Sequence, residues 1–500
     1  MNDELCAQRE IDTPPAERAK IPREIWAAAS VMALGGFLGN MDGPIVAVGL
    51  RTMELDLGVS LAAIQWVATA FLLGLAAALP LTPWLARRLG AGRLWLWALA
   101  AFMATSVLCA LSPSAATLIG ARAVQGMTAG VLVAAGQTVI GLAVGPTRLG
   151  RVMGTLGLVV GLAPIVGPSV GGVLLARFSW PALFWVNLPI GALALLLGLR
   201  FVPRGERLRP PPMDWLGLAL VSVGLPLLVY ALAALGGADS RATLPYLMLT
   251  AVGLGGLVLF VLRSLRAPNP VIQVRLAGQP LMAASLVSVL LAGAGMLAAV
   301  LLLPLWFQIE FGRGPAATGV LLAPLAIGTL LIMLVAGRLT DRYGGGSVAF
   351  AGSLVVLLST APLPWLGPHT PMAVIQALLF LRGTGLGLTM MPAMTTAYAS
   401  VRAIDLGDAT ALANVVMRVG GAVGGALSVI VLTLGIAAGG PALGFRAAFL
   451  ALTCGCVLNT LAAAWLRNTE RHTERCLAAP HGPNPPHGPN PPHTASRRRT

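Results

Sequence analysis

Fourteen stretches of this chain are apolar over about twenty residues or more, and the charges fall between them. They lie near 26–50, 62–84, 93–112, 115–143, 152–176, 181–201, 214–235, 244–262, 281–305, 316–337, 347–366, 371–396, 410–436 and 445–466. About 20 mostly apolar residues make a helix that crosses the hydrocarbon core of a bilayer. No water in that core can satisfy open backbone groups, so runs of this length and composition are expected as helices. The chain reads as an all-α polytopic membrane protein. Its composition agrees, with 57% hydrophobic and 10% charged residues. A soluble surface needs about 25% charged residues. Soluble enzyme, disordered chain, collagen and disulfide scaffold are all excluded. Many of the 60 glycines and 37 prolines lie inside the runs, where membrane helices tolerate them and glycine permits close backbone approach.

The net charge of +15 would point to nucleic acid in a soluble chain. Here the cations, arginines apart from Lys20, mostly sit in the gaps between runs, so no nucleic-acid partner is expected. One set of gaps holds Arg87, Arg88 and Arg93; Arg148 and Arg151; Arg200, Arg204, Arg207 and Arg209; Arg263, Arg266 and Arg275; Arg338 and Arg342; and Arg402. The opposite set holds only Arg51, Arg177, Arg241, Arg313 and Arg446. Basic loops face the cytoplasm. Both termini are therefore expected inside the cell, with the chain multi-pass in the cytoplasmic membrane. The first run has no cleavage-like stretch and reads as an anchor. Residues 1–25 and 467–500 read as cytoplasmic tails, the latter disordered and proline-rich. Its histidines read as a solvated tract rather than a metal site, and no metal or cofactor is expected.

A repeat divides the chain. Leu85-Ala-Arg-Arg-Leu-Gly-Ala-Gly-Arg93 follows the second run, and Gly337-Arg-Leu-Thr-Asp-Arg-Tyr-Gly-Gly-Gly346 follows the tenth. Repeated elements in two halves mark transporters. The expected parts are a six-helix bundle over 26–201, a linker with two inserted helices over 202–280, and a second six-helix bundle over 281–466. No nucleotide engine is present: a P-loop needs a lysine after its glycines, and Lys20 lies in the N-terminal tail.

Ionisable residues inside a membrane are costly and mark function. Asp42 is the secure intramembrane acid, and Glu310 lies at the outer end of the ninth run. Arg122, Arg382 and Arg418 are the intramembrane bases. At 1.5 Å per residue, Asp42 lies about 12 Å and Arg122 about 10 Å from the same outer surface, so the two can meet. Burial raises a carboxyl's pKa and a neighbouring arginine lowers it, a balance suited to a proton carrier. The alternative is an acid that caps or kinks a helix beside Gly43 and Pro44. Arg382 has no acid obviously at its level. It reads as bonding backbone carbonyls, snorkelling to water, or leaving the cavity neutral to mildly positive. The last reading favours neutral, monocationic or anionic aromatic substrates over dications.

The fifth run carries Gly157, Gly161, Pro164, Gly167, Pro168, Gly171 and Gly172. Small residues at spacings of three to four make a smooth stripe for close helix contact, and prolines bend it. Ordinary tight packing is the alternative.

Several motifs together resemble the major facilitator superfamily, in particular its fourteen-span drug:proton antiporters. Asp42 with Ile45, Val46 and Val48 is similar to that branch's first-span motif. Arg122-Ala-Val-Gln125-Gly126 with Gly130 is similar to the fourth-span motif, and the stripe of the fifth run to the antiporter motif. Phe184 through Gly191, including Asn187, resembles the entry to span six. Asp214-Trp215 with Gly217 resembles the start of the inserted pair, and Asn414 to Arg418 with Gly420 and Gly421 the thirteenth span. The chain departs from the family in the first loop motif, where Arg87 stands at the usual aspartate; the second copy keeps Asp341 and Arg342. The resemblance implies a major facilitator fold and proton-driven export of small organic compounds by alternating access. It implies Asp42 as proton site tuned by Arg122, and a fifth-span stripe that holds the exporter conformation. Gly337, Asp341 and Arg342 would form a cytoplasmic gate. Glu310, Gln125, Asn414, Arg418 and Arg382 are candidates for substrate contact or a second proton site. The expected partners are a small-molecule substrate, protons and the lipid bilayer, with the chain a monomer. A same-fold metabolite importer would lack the antiporter stripe. A membrane-embedded enzyme would need a long acidic loop, and the gap at 263–280 carries no acid.

Overall fold

The computed structural model describes residues 22–145, 149–208, 212–235 and 243–478. The N-terminal tail and the His/Pro-rich segment from 479 lie outside the described residues. Fourteen long helices cover the fourteen runs. The first six are α1 (Arg23–Leu57), α2 (Trp66–Leu89), α3 (Ala91–Ala110), α4 (Ala115–Val144), α5 (Leu149–Arg177) and α6 (Ala182–Phe201). The inserted pair is α7 (Trp215–Leu235) and α8 (Thr243–Arg266). The last six are α9 (Pro280–Ile309), α10 (Pro315–Tyr343), α11 (Gly345–Trp365), α12 (Met372–Ala399), α13 (Ala403–Gly439) and α14 (Pro441–Ala478). Thirteen of them are long and apolar enough to cross a membrane among the described residues; α5, with 29 residues, covers the remaining run.

Local chemistry sets the helix ends. Ser114 caps α4, accepting the Thr117 N–H at 3.3 Å while the Thr117 hydroxyl accepts the Ser114 N–H at 3.2 Å, which satisfies two otherwise open donors. Gly90 and Gly344 end α2 and α10 at φ of 86° and 82°, a conformation that costs glycine little and other residues more. Each therefore reverses the chain within one residue.

Between membrane helices the attraction comes from close packing rather than from expulsion of water. Trp95 of α3 is fully buried at the centre of the first bundle. Its ring lies against Gly35 of α1, Gly136 of α4 and Gly198 of α6, where an added Cβ would stand 2.6, 3.3 and 2.9 Å from it.

The second bundle repeats the first in register. A Cβ on Gly74 of α2 would strike the Ala123 carbonyl of α4; one on Gly328 of α10 would strike the Phe380 carbonyl of α12. Gly126 and Gly130 of α4 lie on the Phe71 and Leu75 carbonyls, as Gly383 and Gly387 of α12 lie on those of Leu325 and Thr329. Gly167 and Gly171 of α5 lie on the Met41 and Ile45 carbonyls of α1, as Gly420 and Gly424 of α13 lie on those of Leu290 and Ala294 in α9. In this register Asp42 corresponds to Leu291, Ser106 to Thr360, Arg122 to Leu379 and Gln125 to Arg382.

The inserted helices pack on each other, and α7 lies against α2 and α13. Trp66 of α2 stacks on Tyr230 of α7 at 5.2 Å. Arg263 of α8 grips Asp214 at the foot of α7, Nη2 to Oδ1 2.7 Å. Partial burial pulls this carboxyl's pKa up, but the hydrogen bonds from Arg263 and the Gly217 N–H and the Arg263 charge outweigh it. The net pKa is below the usual carboxylate range.

Two expectations are corrected. The first helix continues past its run to Leu57, and Trp180 before α6 donates to Asp56 near its end at 2.6 Å. The segment 467–478, read as disordered tail, is helical and continues α14. Its Glu470 accepts the Gly345 and Gly346 N–H groups at 2.9 and 2.7 Å. The helix-end donors of α11 thus receive an acid, as the helix dipole favours.

Candidate functional site

Asp42 is fully buried inside the first bundle. Two helices, α4 and α6, deliver donors to it, and a third, α3, supports them. Arg122 of α4, itself fully buried, pairs with its Oδ2 through Nη1. Gln125, one turn along α4, donates Nε2 to Oδ1 at 3.1 Å. Asn187 of α6 donates Nδ2 to the same oxygen at 2.8 Å. Ser106 of α3 accepts from both amides, at 2.8 Å from Gln125 and 3.3 Å from Asn187. Arg122 is held from its other sides: Nε donates to the Val67 carbonyl at 3.1 Å and Nη1 to Gln125 Oε1 at 2.8 Å. The guanidinium lies 4.2 Å from the centre of the Phe71 ring and 5.7 Å from that of Phe184, a placement that favours a cation over an aromatic face.

Ion pairs in a low-dielectric interior persist only when their remaining bonding positions are met. Here the carboxylate has three donors, and the guanidinium has a carbonyl, an amide oxygen and two rings, with its Nη2 left without a partner among the described residues.

The second group of contacts joins the two bundles at the arginine-rich end. Gly154 of α5 meets Gly337 of α10, where an added Cβ would stand 2.9 Å from the opposite backbone. Beside it, Asp341 accepts the Arg151 N–H on both oxygens at 3.2 Å, and Arg151 Nε lies 3.7 Å away. Arg87 of α2 crosses to Asp408 of α13, Nη1 to Oδ2 2.7 Å. Farther in, Gln137 of α4 accepts from Asn414 of α13 at 2.8 Å and from Tyr398 of α12 at 3.3 Å, and the Thr138 and Thr410 hydroxyls lie 3.0 Å apart.

The sequence candidates thus fall into three groups. Asp42, Arg122 and Gln125 come together. Gly337, Asp341 and Asn414 stand in the contact between bundles. Arg342 instead lies over Tyr343, 5.2 Å from the ring centre, within the reach of a cation over an aromatic face. Glu310 caps the C-terminal end of α9, its N–H bonded to the Trp306 carbonyl. Arg418 is half-buried on α13 with its Nε unpaired. Arg382 is buried in the second bundle, bonded to Thr360 and to the Gly295 carbonyl.

The glycine stripe of α5 does not face one partner. Gly167 and Gly171 lie on α1, Gly157 lies on Met391 and Met333 of the second bundle, and Pro168 and Gly172 are exposed. The surroundings of Gly161 and Pro164 lie outside the described side chains. Sequence reasoning did not select Ser106, Asn187, Gln137, Tyr398 or Asp408 as site residues. Asn187 lies in a quoted motif; a neutral polar residue inside an apolar run is the signal that could have raised Ser106 and Gln137, whereas Tyr398 and Asp408 lie just outside their runs.

A family model described as Major Facilitator Superfamily matches residues 31–425. The chain belongs to that superfamily. It is 31% identical over 408 residues to a multidrug resistance protein B homolog of Mycobacterium tuberculosis, covering 81% of this chain and 76% of that protein. It is 32% identical over 434 residues to the puromycin resistance protein pur8 of Streptomyces alboniger, covering 85% of each. It is 28% identical over 404 residues to the lincomycin resistance protein LmrB of Listeria innocua, covering 80% and 85%. Among solved structures, the human organic anion transporter MFSD10 (TETRAN) matches with a TM-score of 0.63 at 15% identity, covering 89% of this chain and 100% of that one. The proton:xylose symporter XylE matches with a TM-score of 0.61 at 13% identity, covering 88% and 95%. These structures share the fold. The chain is a multi-pass membrane transporter and not an enzyme, and its relatives in sequence carry the names of drug-resistance proteins.

Proposed function

We propose that the chain exports small organic compounds from the cytoplasm in exchange for protons, by alternating access. The observation that carries this reading is the buried Asp42, met by Arg122, Gln125 and Asn187 from two helices. A fixed structural ion pair would serve as well with fewer donors; a carrier must hold its charged form and release it. The path outward from the site is short. Asp42 lies on α1, whose Met41 and Ile45 carbonyls meet Gly167 and Gly171 of α5. The other end of α5 carries Gly150 and Arg151 at the contact with Gly337 and Asp341. Protonation of Asp42 loosens α1 from α4, α5 moves with α1, and the contact between bundles opens.

In this reading the arginine-rich end is cytoplasmic and the membrane is the cytoplasmic one. Cysteines introduced near 440 should react with an impermeant reagent from outside, and ones near 206 and 272 should not; the reverse pattern would overturn the orientation. Puromycin and lincomycin, named by the relatives, are the first compounds to try. The single carboxylate at the network favours neutral, monocationic or anionic aromatic substrates over dications, since each buried positive charge needs compensation. Proteoliposomes with an imposed pH gradient test the function: uphill movement of a substrate should consume the gradient. Movement of the same compound indifferent to the gradient would favour a facilitator.

A further inference from the structure

The second bundle holds a charge that the transport reading leaves unused. Arg382 is fully buried, at the position that Gln125 occupies in the first bundle. Its partners are a hydroxyl, Thr360 Oγ1, a carbonyl, Gly295 O at 3.2 Å, and the neighbouring Cys456 thiol. Its Nε has no partner. Among the described residues no carboxylate pairs with it. Neutral acceptors solvate a guanidinium in part, but they leave its full charge in a medium where an isolated ion is costly.

Arg382 also lines a cavity of about 10 Å³, room for the centre of one water-sized particle. Leu291, Gly295, Cys456 and Asn459 share the lining. Leu291 stands at the position of Asp42, so the second bundle lacks the acid where the first has it. Asn459 is buried, and its amide oxygen takes the Ser288 hydroxyl at 3.5 Å. That leaves the amide NH2 as its remaining hydrogen-bonding group. Cys456 adds a buried thiol, 3.9 Å from Thr360 Oγ1.

The geometry points to a site for one small monoatomic anion, of the chloride or bromide class, held by Arg382 inside the second bundle. A buried guanidinium with an unpartnered N–H and a buried asparagine amide both line this space. A drug or a polyatomic anion such as sulfate does not fit it. The bound ion takes the place that the Asp42 carboxylate takes in the first bundle. It completes the charge of the second bundle without a proton-binding group, so this half keeps its charge while the other changes.

The test is thermal unfolding of the purified full-length protein in detergent, at fixed pH and ionic strength, with chloride or bromide replacing gluconate. Either halide should raise the midpoint by several degrees, saturably, and sulfate should not. Arg382→Gln should unfold at one temperature whatever the anion. Cys456→Ser should keep the halide shift; its loss would assign the counter-charge to the thiolate and overturn the proposal. A wild-type midpoint indifferent to halide would also overturn it. Should Arg382→Gln fail to fold, anomalous scattering from bromide beside Arg382 in wild-type crystals decides, and its absence at saturating bromide counts against the site.

Discussion

The two bundles are packed alike and charged differently: the first pairs its buried arginine with an acid, and among the described residues the second does not. Glycines meet carbonyls at matching places, Gly126 on Phe71 and Gly383 on Leu325, Gly167 on Met41 and Gly420 on Leu290. Yet the first bundle buries an acid among donors, and the second buries an arginine among neutral acceptors. Packing register and polar content are therefore separable. Close helix contact needs only small residues at the crossing points, while a functional charge depends on one or two positions inside the frame. The loops show the same separation. In the second half Asp341 meets the start of α5, where backbone N–H groups and Arg151 welcome an anion. In the first half Arg87 stands at the matching position, and Asp408 near the start of α13 supplies the acid instead. The two contacts have the same place and reversed polarity.

The largest expected effect comes from breaking the first bundle's charge. Arg122→Gln leaves Asp42 buried without its cation and should destabilise the protein by about 3–5 kcal/mol, the cost of stranding one member of a buried pair, read as a lowered unfolding midpoint. Asp42→Asn keeps size but turns one acceptor oxygen into an NH2 that faces donors and leaves Arg122 without its counter-charge; the protein should lose stability yet still insert, while uphill export falls to background. Retained export with unchanged pH dependence would move the proton site elsewhere, with Glu310 the next candidate.

Next in size are the matched glycines. Gly167→Leu and Gly420→Leu each push a side chain into a facing carbonyl. Both should reduce export at least tenfold without loss of insertion, and an effect of only one would break the equivalence of the halves. Leu291→Asp sharpens the comparison from the other side. It places a carboxylate beside Arg382, and should be tolerated with Arg382 present and lower the expressed, folded fraction in an Arg382→Gln background. Equal tolerance in both backgrounds would count against the register that pairs Leu291 with Asp42.

The ion pair between the bundles, Arg87 with Asp408, is expected to show a smaller effect. Arg87→Asp and Asp408→Arg should each slow export severalfold, and the double exchange should recover most of the loss. No recovery would reduce the contact to a surface pair, which contributes little.

The fold was legible because membrane helices announce themselves as uninterrupted apolar runs, and the basic loops order them. The pairing of Asp42 with Arg122 was legible too, since depth along a straight helix follows from residue count. Asn187 and Ser106 were not, because a neutral polar side chain can bond its own helix as readily as a neighbour, as Thr105 and Thr389 do. Asp408 escaped notice because its partner Arg87 lies in the other bundle. The end of α14 was misread because Arg467 to Cys476 is polar; the helix continues there because Glu470 finds the open N–H groups of Gly345 and Gly346.

The central claim is that Asp42 carries the coupled proton while the second bundle carries none. Protein reconstituted without a pH gradient, with a pH-sensitive dye in weakly buffered medium, tests it when an exported compound is added. Wild type should release protons on adding the compound, and Leu291→Asp should release the same amount. Asp42→Asn should bind the compound and release none. Proton release from Asp42→Asn equal to that of wild type would contradict the account.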